Sequence, residues 1–354
     1  MRKYNRPVEV SIELSQRCPL RCIHCSSEGM DNVDTSNELS HEKWLDVIDQ
    51  AGELRAHVLS ISGGEPLVYP NIFDILEYAK LVDVGKILLY TTGCVGINGD
   101  GTPIMMDIDS KFMEYNIGSI TFIFSLHSPD PRTHDSIVGV DGMWEEETKL
   151  IKQIADRGGE VWVHTVPMRH TYTALPDMRE LCDDLGVTKM SALRFVPQGR
   201  GADTRLATSH TQFLHMQRIL ADMVEDNPSH IAKIRLGCPI DFRFLLGGYN
   251  TKKKCHAGDM ILIRPDGSVH PCAAWKTLPT TLNVKDHSLQ TVWEDCEVLN
   301  FLRDFHENPT CAKGCRHLEL CGGGCLAQRL HSGKGEVIED LITMPPDPLC
   351  GHSN

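Results

Sequence analysis

The sequence predicts an α/β fold: a partial (β/α)6 barrel followed by a small cysteine-rich α+β domain. Three observations lead there. Strand-like and helix-like segments alternate over the first ~200 residues, as parallel βα units do. The chemically distinctive stretches fall where strands end and βα loops begin, the rim on which such barrels carry their sites. Beyond about residue 235 the alternation stops, and turns, glycines and cysteines take over. These changes divide the chain into a barrel at 1–205, a bridging helical segment at 206–234 and a cysteine-rich part at 235–354.

Taken in order, "VEVSIEL" (8–14) is the first strand, and it runs straight into a loop with three cysteines. Ser40 is placed to cap the helix "HEKWLDVIDQAGEL". "HVLSISGG" (57–64) is a strand ending in two glycines, "NIFDILEYAKLV" a helix, and "GKILLYTTG" a third strand. Residues 94–109, "CVGINGDGTPIMMDID", interrupt the rhythm; this long connection suits either a substrate-facing loop or a solvated insertion. "SITFIFSLHS" (119–128) is the fourth strand. "MWEEETKLIKQIADRG" follows as an amphipathic helix stopped at Gly158. "EVWVHTVPM" is the fifth strand, "LPDMRELCDDLG" a helix, and "KMSALRFVP" the sixth strand. A polar helix near 208–226 leads into the second part, where "MILIRPDGSVHPC" reads as a hairpin around Asp266 and Gly267.

A net charge of −13 argues against a nucleic-acid binder, which would carry a basic face. No run of 18 apolar residues is present to span a membrane, and the N-terminus lacks the apolar core of a signal peptide. Fourteen cysteines without an export signal fit a reducing, cytoplasmic setting, where clustered thiols hold metal more often than they form disulfides. Ten of them fall into patterned groups. Cys94, Cys182, Cys238 and Cys296 stand apart, as buried structural thiols do.

Cys18, Cys22 and Cys25 are spaced C-x3-C-x2-C, and no fourth cysteine follows at similar spacing. Such a loop can wrap three corners of a [4Fe-4S] cube and leave one iron open to a small molecule. A zinc with a remote fourth ligand, or three unrelated thiols, satisfies the same spacing. Gly63 and Gly64 after the second strand let backbone approach a ligand closely, and Glu65 offers a carboxylate to an ammonium group. Alone, Gly-Gly-Glu-Pro is a weak signal that is more often a plain turn. Further on, Cys255, Cys272, Cys311, Cys315, Cys321, Cys325 and Cys350 suit zinc nearly as well as iron–sulfur.

Together, the cysteine loop and the Gly-Gly-Glu-Pro turn closely resemble the radical SAM superfamily, with His24 just before the third cysteine. The resemblance implies that S-adenosylmethionine (SAM) chelates the open iron. One electron then cleaves its sulfonium, and a 5′-deoxyadenosyl radical abstracts a substrate hydrogen. Carried over position by position, Gly63, Gly64 and Glu65 match the turn that holds the methionine ammonium. Ser125 matches a polar residue contacting the ribose or carboxylate, Leu193 falls where a backbone group meets adenine, and His24 lies near the adenine. Three positions depart from common members: His127 in place of Asp, Val138 before Gly139 in place of Arg, and Thr92 in place of Asn.

Residues 255–350 resemble the SPASM domain, which carries two auxiliary [4Fe-4S] clusters, so three clusters and SAM are the implied cofactors. The resemblance puts Cys255, Cys272 and Cys325 on the first auxiliary cluster and Cys311, Cys315, Cys321 and Cys350 on the second. It leaves the first one ligand short, with Cys238 or, more weakly, His256 as candidates. Cys311 and Cys315 are separated by three residues where the pattern has two. The implied activity is hydrogen abstraction from a peptide or protein, ending in oxidation or crosslinking. A low-potential donor such as flavodoxin or ferredoxin supplies the electron. Only seven residues precede the first strand, so the substrate is expected to be recognised without a fused leader-binding domain, or by a separate leader-binding protein. The alternatives are a small-molecule substrate, such as a carbohydrate or haem precursor, and a non-catalytic electron carrier. No general base is assigned: His127, His164, Arg194 and Gln198 lie near inner strand ends, where packing and cofactor orientation are the commoner roles.

Overall fold

A computed structural model describes residues 6–107, 119–237, 240–249, 255–278, 282–311, 315–333 and 344–350. In chain order the first half comprises β1 (Glu9–Glu13), α1 (His41–Glu53), β2 (Val58–Ser62), α2 (Ile72–Ala79), β3 (Lys86–Thr91), the hairpin β4 (Cys94–Ile97) and β5 (Pro103–Met105), and β6 (Thr121–Phe124). Then come α3 (Pro131–Val138), α4 (Met143–Asp156), β7 (Glu160–Thr165), α5 (Leu175–Asp184), β8 (Lys189–Ala192), α6 (His210–Glu225) and β9 (Lys233–Leu236). The C-terminal part adds β10 (Met260–Ile263), β11 (Val269–His270), α7 (Leu289–Asp295), α8 (Glu297–Glu307), α9 (Leu318–Cys321) and α10 (Leu326–Gly333).

All six predicted strands and the four predicted helices between them are present, and the helix bridging to the second part is α6. Ser40 caps α1 by accepting from the Lys43 N–H at 3.2 Å, a contribution of about 1 kcal/mol. α1 turns Trp44, Val47, Ile48 and Ala51 onto the sheet. Burial of each large side chain among them stabilises by about 1.5–3 kcal/mol. α4 stops before Gly158, whose φ of 81° is the left-handed conformation that glycine adopts freely. α3 is not among the helices expected. Its markers are in the sequence all the same: Asp130 accepts from the Thr133 N–H at 2.8 Å, Pro131 opens the helix, and Gly139 at φ 78° closes it.

One sheet runs through the molecule in the order β11-β10-β1-β2-β3-β6-β7-β8-β9. Every neighbouring pair from β10 to β9 is parallel, and only β10–β11 is antiparallel. Two features go beyond the six strands expected. The bridging segment ends in β9, which joins β8 as a further parallel strand. The hairpin around Asp266 and Gly267 is present, but its first strand, β10, pairs with β1 through Glu9–Met260 to Ile12–Ile263. The cysteine-rich part therefore extends the barrel's own sheet. Neither pairing is visible in alternation, because both join segments far apart in sequence. Residues 94–105 form the β4–β5 hairpin.

Parallel strands bring all their C-terminal ends to one rim. The helices cover the outside with a continuous apolar core. The inner face carries polar groups: Ser60 donates to Glu9 at 2.6 Å, and the rings of Tyr90 and His164 meet edge-on at 5.4 Å.

Candidate active site

At that rim, a cavity of about 300 Å3 is lined by Cys18, Cys22, Cys25 and His24 from the loop after β1. Five other strands add residues just past their ends: Gly64 after β2, Thr92 after β3, Ser125 and His127 after β6, Val166 after β7, and Leu193 to Val196 after β8. Of the N-terminal residues predicted for the site, Cys18, Cys22, Cys25, His24, Gly64, Ser125 and Leu193 thus converge on one space. Gly63 and Glu65, on either side of Gly64 in the chain, do not line it.

The two glycines are required by how closely the chain passes the cysteine loop. Gly64 donates to the Ser15 carbonyl at 2.7 Å, and the Glu65 N–H donates to the Arg17 carbonyl at 2.8 Å. A Cβ on Gly64 would lie 2.2 Å from the Arg17 oxygen, and one on Gly63, at φ 148°, 2.5 Å from the Ser15 oxygen. Both obstacles are backbone.

Glu65 is almost wholly buried, and its carboxylate is held by protein donors. It accepts from Thr91 Oγ1 at 2.6 Å, the Thr92 N–H at 2.8 Å, Thr92 Oγ1 at 2.9 Å and the Leu67 N–H at 3.1 Å. Burial raises its pKa to about 7, and these bonds pull the other way. Thr92, a departure from the resemblance, has a definite place here: it holds Glu65 and lines the cavity.

The cysteine loop is fastened on two sides. Arg21 and Ile23 donate backbone N–H groups to the carbonyls of Val138 and Ile137 at the end of α3. Arg200, absent from the sequence-based candidates, donates from Nε to the Cys22 carbonyl and from its guanidinium to the Gly29 carbonyl, each at 2.9 Å. Its flanking residues pass equally close: a Cβ on Gly199 would lie 2.6 Å from the Cys25 oxygen, and one on Gly201 2.8 Å from the His24 oxygen. The signal that could have found it is Gly-Arg-Gly directly after the sixth strand, at the functional rim.

The donor set fits an iron–sulfur cluster. Burial raises the Cys18 thiol to about 12, and it raises the Cys22 thiol further, with Cys25 and Cys18 as like-charged neighbours. Three thiols crowded on one wall gain as thiolates only when a positively charged body sits among them. His24 contributes a ring held neutral by burial, with a pKa near 4, and its Nδ1 is buried without a partner among the described residues. It meets His127 edge-on at 4.3 Å, and His127 stacks on His134, which contacts the buried Glu147 at 3.2 Å. Among the described residues no three His, Cys, Asp or Glu side chains are gathered as tightly as a single metal ion needs; the thiols of the loop ring a cavity.

In the C-terminal part, Cys255, Cys325 and Cys350 are buried and Cys272, Cys311, Cys315 and Cys321 half-buried. Burial raises the Cys321 thiol to about 12, with Asp347, Cys350 and Cys311 as the negative neighbours, so three of the four thiols expected on the second cluster lie together. Cys238 lies outside the described residues, and the His256 side chain is half exposed, 4.0 Å from Asp259. Cys94, Cys182 and Cys296 are buried, as isolated thiols should be. Ala273, next to Cys272, closes one wall of the rim cavity, and its carbonyl accepts from Gln198 at 2.6 Å.

Family comparison agrees with this geometry. Residues 12–182 match the radical SAM superfamily, and residues 255–316 match the SPASM iron–sulfur cluster-binding domain. The chain carries a radical SAM domain followed by a SPASM domain. These domains bind [4Fe-4S] clusters and SAM. Over 98% of its length the chain is 25% identical to a PqqA peptide cyclase of Xanthomonas campestris pv. campestris, covering 87% of that protein. It is 24% identical, also over 98%, to an AdoMet-dependent heme synthase of Methanosarcina barkeri, covering 97% of that protein. The fold is shared with Streptococcus suis SuiB bound to SAM: TM-score 0.75, 18% identity, 98% of this chain and 78% of SuiB. Among the described residues no helix is long and apolar enough to cross a membrane.

Proposed function

We propose that this radical SAM enzyme modifies a peptide, abstracting a hydrogen from one of its residues and ending in oxidation or a crosslink. The observation that carries the reading is the single cavity joining three thiols to the ends of five further strands. Cys18, Cys22 and Cys25 would hold the SAM-binding cluster. Gly64 would present backbone to the methionine end, Ser125 a hydroxyl to the ribose or carboxylate, and Leu193 and His24 the adenine wall. When bound, the cluster and SAM supply a 5′-deoxyadenosyl radical that takes a hydrogen atom from the substrate.

The chain's own residues orient the partners and exclude water. Arg200 fixes the loop, the glycines set the approach, and His24 and His127 stay neutral, so that neither brings a competing charge to the wall. Cys255, Cys272 and Cys325, and Cys311, Cys315, Cys321 and Cys350, would hold two auxiliary clusters, which give the electron left after a net oxidation somewhere to go. The supply of electrons falls to a flavodoxin or ferredoxin in a reducing cytoplasm.

The peptide reading is supported by similarity along nearly the whole chain to a peptide cyclase. The fold is also that of SuiB, which has been seen with its precursor peptide SuiA. A haem-precursor substrate is the competing reading, carried by the likeness to a heme synthase. Anaerobic reconstitution with SAM and a reductant tests the chemistry: 5′-deoxyadenosine should form, and about twelve irons should bind per chain. Cys18→Ala, Cys22→Ala and Cys25→Ala together should remove about four irons and all 5′-deoxyadenosine. Loss of no iron sinks the assignment of the loop. Stimulation of 5′-deoxyadenosine release by a porphyrin, and by no peptide, would favour the competitor.

A further inference from the structure

A second cavity, of about 400 Å3, adjoins the first. The two share Arg194 and Phe195, which follow β8, so they meet at the same short stretch of chain. The floor is made by Phe213 and Met216 of α6 with Ile240, all nearly inaccessible to solvent. The mouth, at Ala207, Ser332 and Pro348, is partly or fully open.

Of the polar side chains in the wall, which include Thr208 at its edge, Arg194, Gln328 and His331 are each engaged with protein, His331 Nε2 contacting the Ala274 carbonyl at 3.4 Å and Thr277 Oγ1 at 3.3 Å. Arg194 donates to both carboxylate oxygens of Asp347 at 2.6 Å and to Gln328 Oε1 at 2.9 Å, while Gln328 Nε2 donates to the Phe195 carbonyl at 2.8 Å. A charged occupant would give up its water and find Arg194 already neutralised. An apolar one loses nothing by entering. A dry cavity of roughly 150 Å3 takes a benzene ring, so 400 Å3 takes an indole or phenyl side chain with its backbone.

We infer that this cavity is the anchoring subsite for a bulky apolar residue of the substrate, set beside the SAM cavity so that the anchored residue or its chain neighbour meets the radical. The inference rests on the peptide reading above and adds the side-chain class.

The test uses the reconstituted full-length protein with SAM and saturation-transfer NMR. N-acetyl-L-phenylalaninamide is the probe and N-acetylglycinamide the control. The phenylalanine probe should bind and the glycine control should not. Ala207→Trp and Ser332→Trp, each filling the mouth from a different side, should weaken the probe at least tenfold. Iron content, compared with wild type, shows that each variant is folded, and a weakening by either correctly loaded variant supports the subsite. Equal binding of both amides, no binding of the phenylalanine probe, or wild-type binding in both variants overturns it. 5′-Deoxyadenosine formation by wild type is measured alongside. Its absence overturns the radical chemistry and leaves the binding result readable.

Discussion

Arg200 should decide how firmly the first cluster is held. Its guanidinium makes two bonds of 2.9 Å to backbone carbonyls, one on Cys22 between the other two cysteines and one on Gly29 beyond them. Hydrogen bonds from a charged donor contribute about 1.5–3 kcal/mol each. Arg200 is half-buried, so the lower end applies, about 3 kcal/mol for the pair. Removal in Arg200→Gln should favour opening of the loop by about two powers of ten, at 1.4 kcal/mol per tenfold. An opened loop exposes iron to a chelator. The assay is iron release to bathophenanthroline disulfonate from the reconstituted protein under anaerobic conditions. The triple cysteine variant supplies the baseline for iron held elsewhere. About four irons should leave roughly a hundredfold faster, and the remainder at the wild-type rate. Arg200→Lys, with one point charge for two acceptors, should fall between. Release at the wild-type rate, or equal acceleration of all the iron, would refute the claim that Arg200 fastens this loop.

Gly64→Ala should weaken SAM binding by about tenfold or more, read by equilibrium dialysis, since its Cβ lies 2.2 Å from a backbone oxygen and must displace the loop stem. Gly99→Ala, whose Cβ meets nothing within 4 Å, is the control and should be silent. Asp347→Asn strips the buried Arg194 of its counter-ion at a cost of about 3–5 kcal/mol, lowering both Tm and iron content. Adding Arg194→Gln should restore part of the loss, and strict additivity of the two would show no coupling. Burial, with Arg235 and Lys189 nearby, lowers the pKa of His164 to about 3, against 6.5 unfolded. Folding with this ring neutral is therefore cost-free above pH 6.5 and loses stability as pH falls from 6.5 toward 3. At pH 5 the penalty is about 2 kcal/mol. His164→Gln should flatten the fall in Tm between pH 7 and pH 5, and an unchanged slope would place the ring's proton elsewhere.

The rim was legible because each signal is local. A strand followed by three spaced cysteines, a strand followed by two glycines and a strand followed by Ser125 each announce themselves within about ten residues. Parallel pairing then carries them to one place, since every parallel strand ends on the same side. The rest depends on contacts between distant segments. Arg200 reaches carbonyls on the cysteine loop, and carbonyls leave no mark in sequence. β9 is only four residues, "KIRL", with alternate residues exposed, too short to stand out against the polar stretch before it. β10 is legible as a strand, but its partner is not: nothing in "MILI" names β1 as its neighbour. Glu65 shows a third kind of difficulty. The sequence offers its carboxylate as an acceptor, and its acceptance from Thr91 and Thr92, which join it to the end of β3, is a long-range contact that the turn itself does not announce.

Those distant contacts tie the two cysteine-bearing regions into one frame. β10 hydrogen-bonds along β1, and β1 ends at Glu13, where the strand runs into the cysteine loop. Lys276, four residues after Cys272, forms a buried ion pair with Glu13 and donates to the half-buried Ser27 at 2.6 Å. On the other side of the cavity Arg194 holds Asp347, and Asp347 accepts the N–H of Cys325 at 2.6 Å. The two ion pairs each join a residue beside the rim cavity to one three or four positions from a C-terminal cysteine, Lys276 after Cys272 and Asp347 before Cys350. A buried ion pair is costly to break because it strands a charge, so these ties resist independent movement of the two regions. The separation between the rim cavity and the C-terminal thiols is therefore set by strand pairing and buried charge rather than by a linker. An electron leaving the substrate and a side chain anchored in the apolar cavity would both meet a fixed geometry.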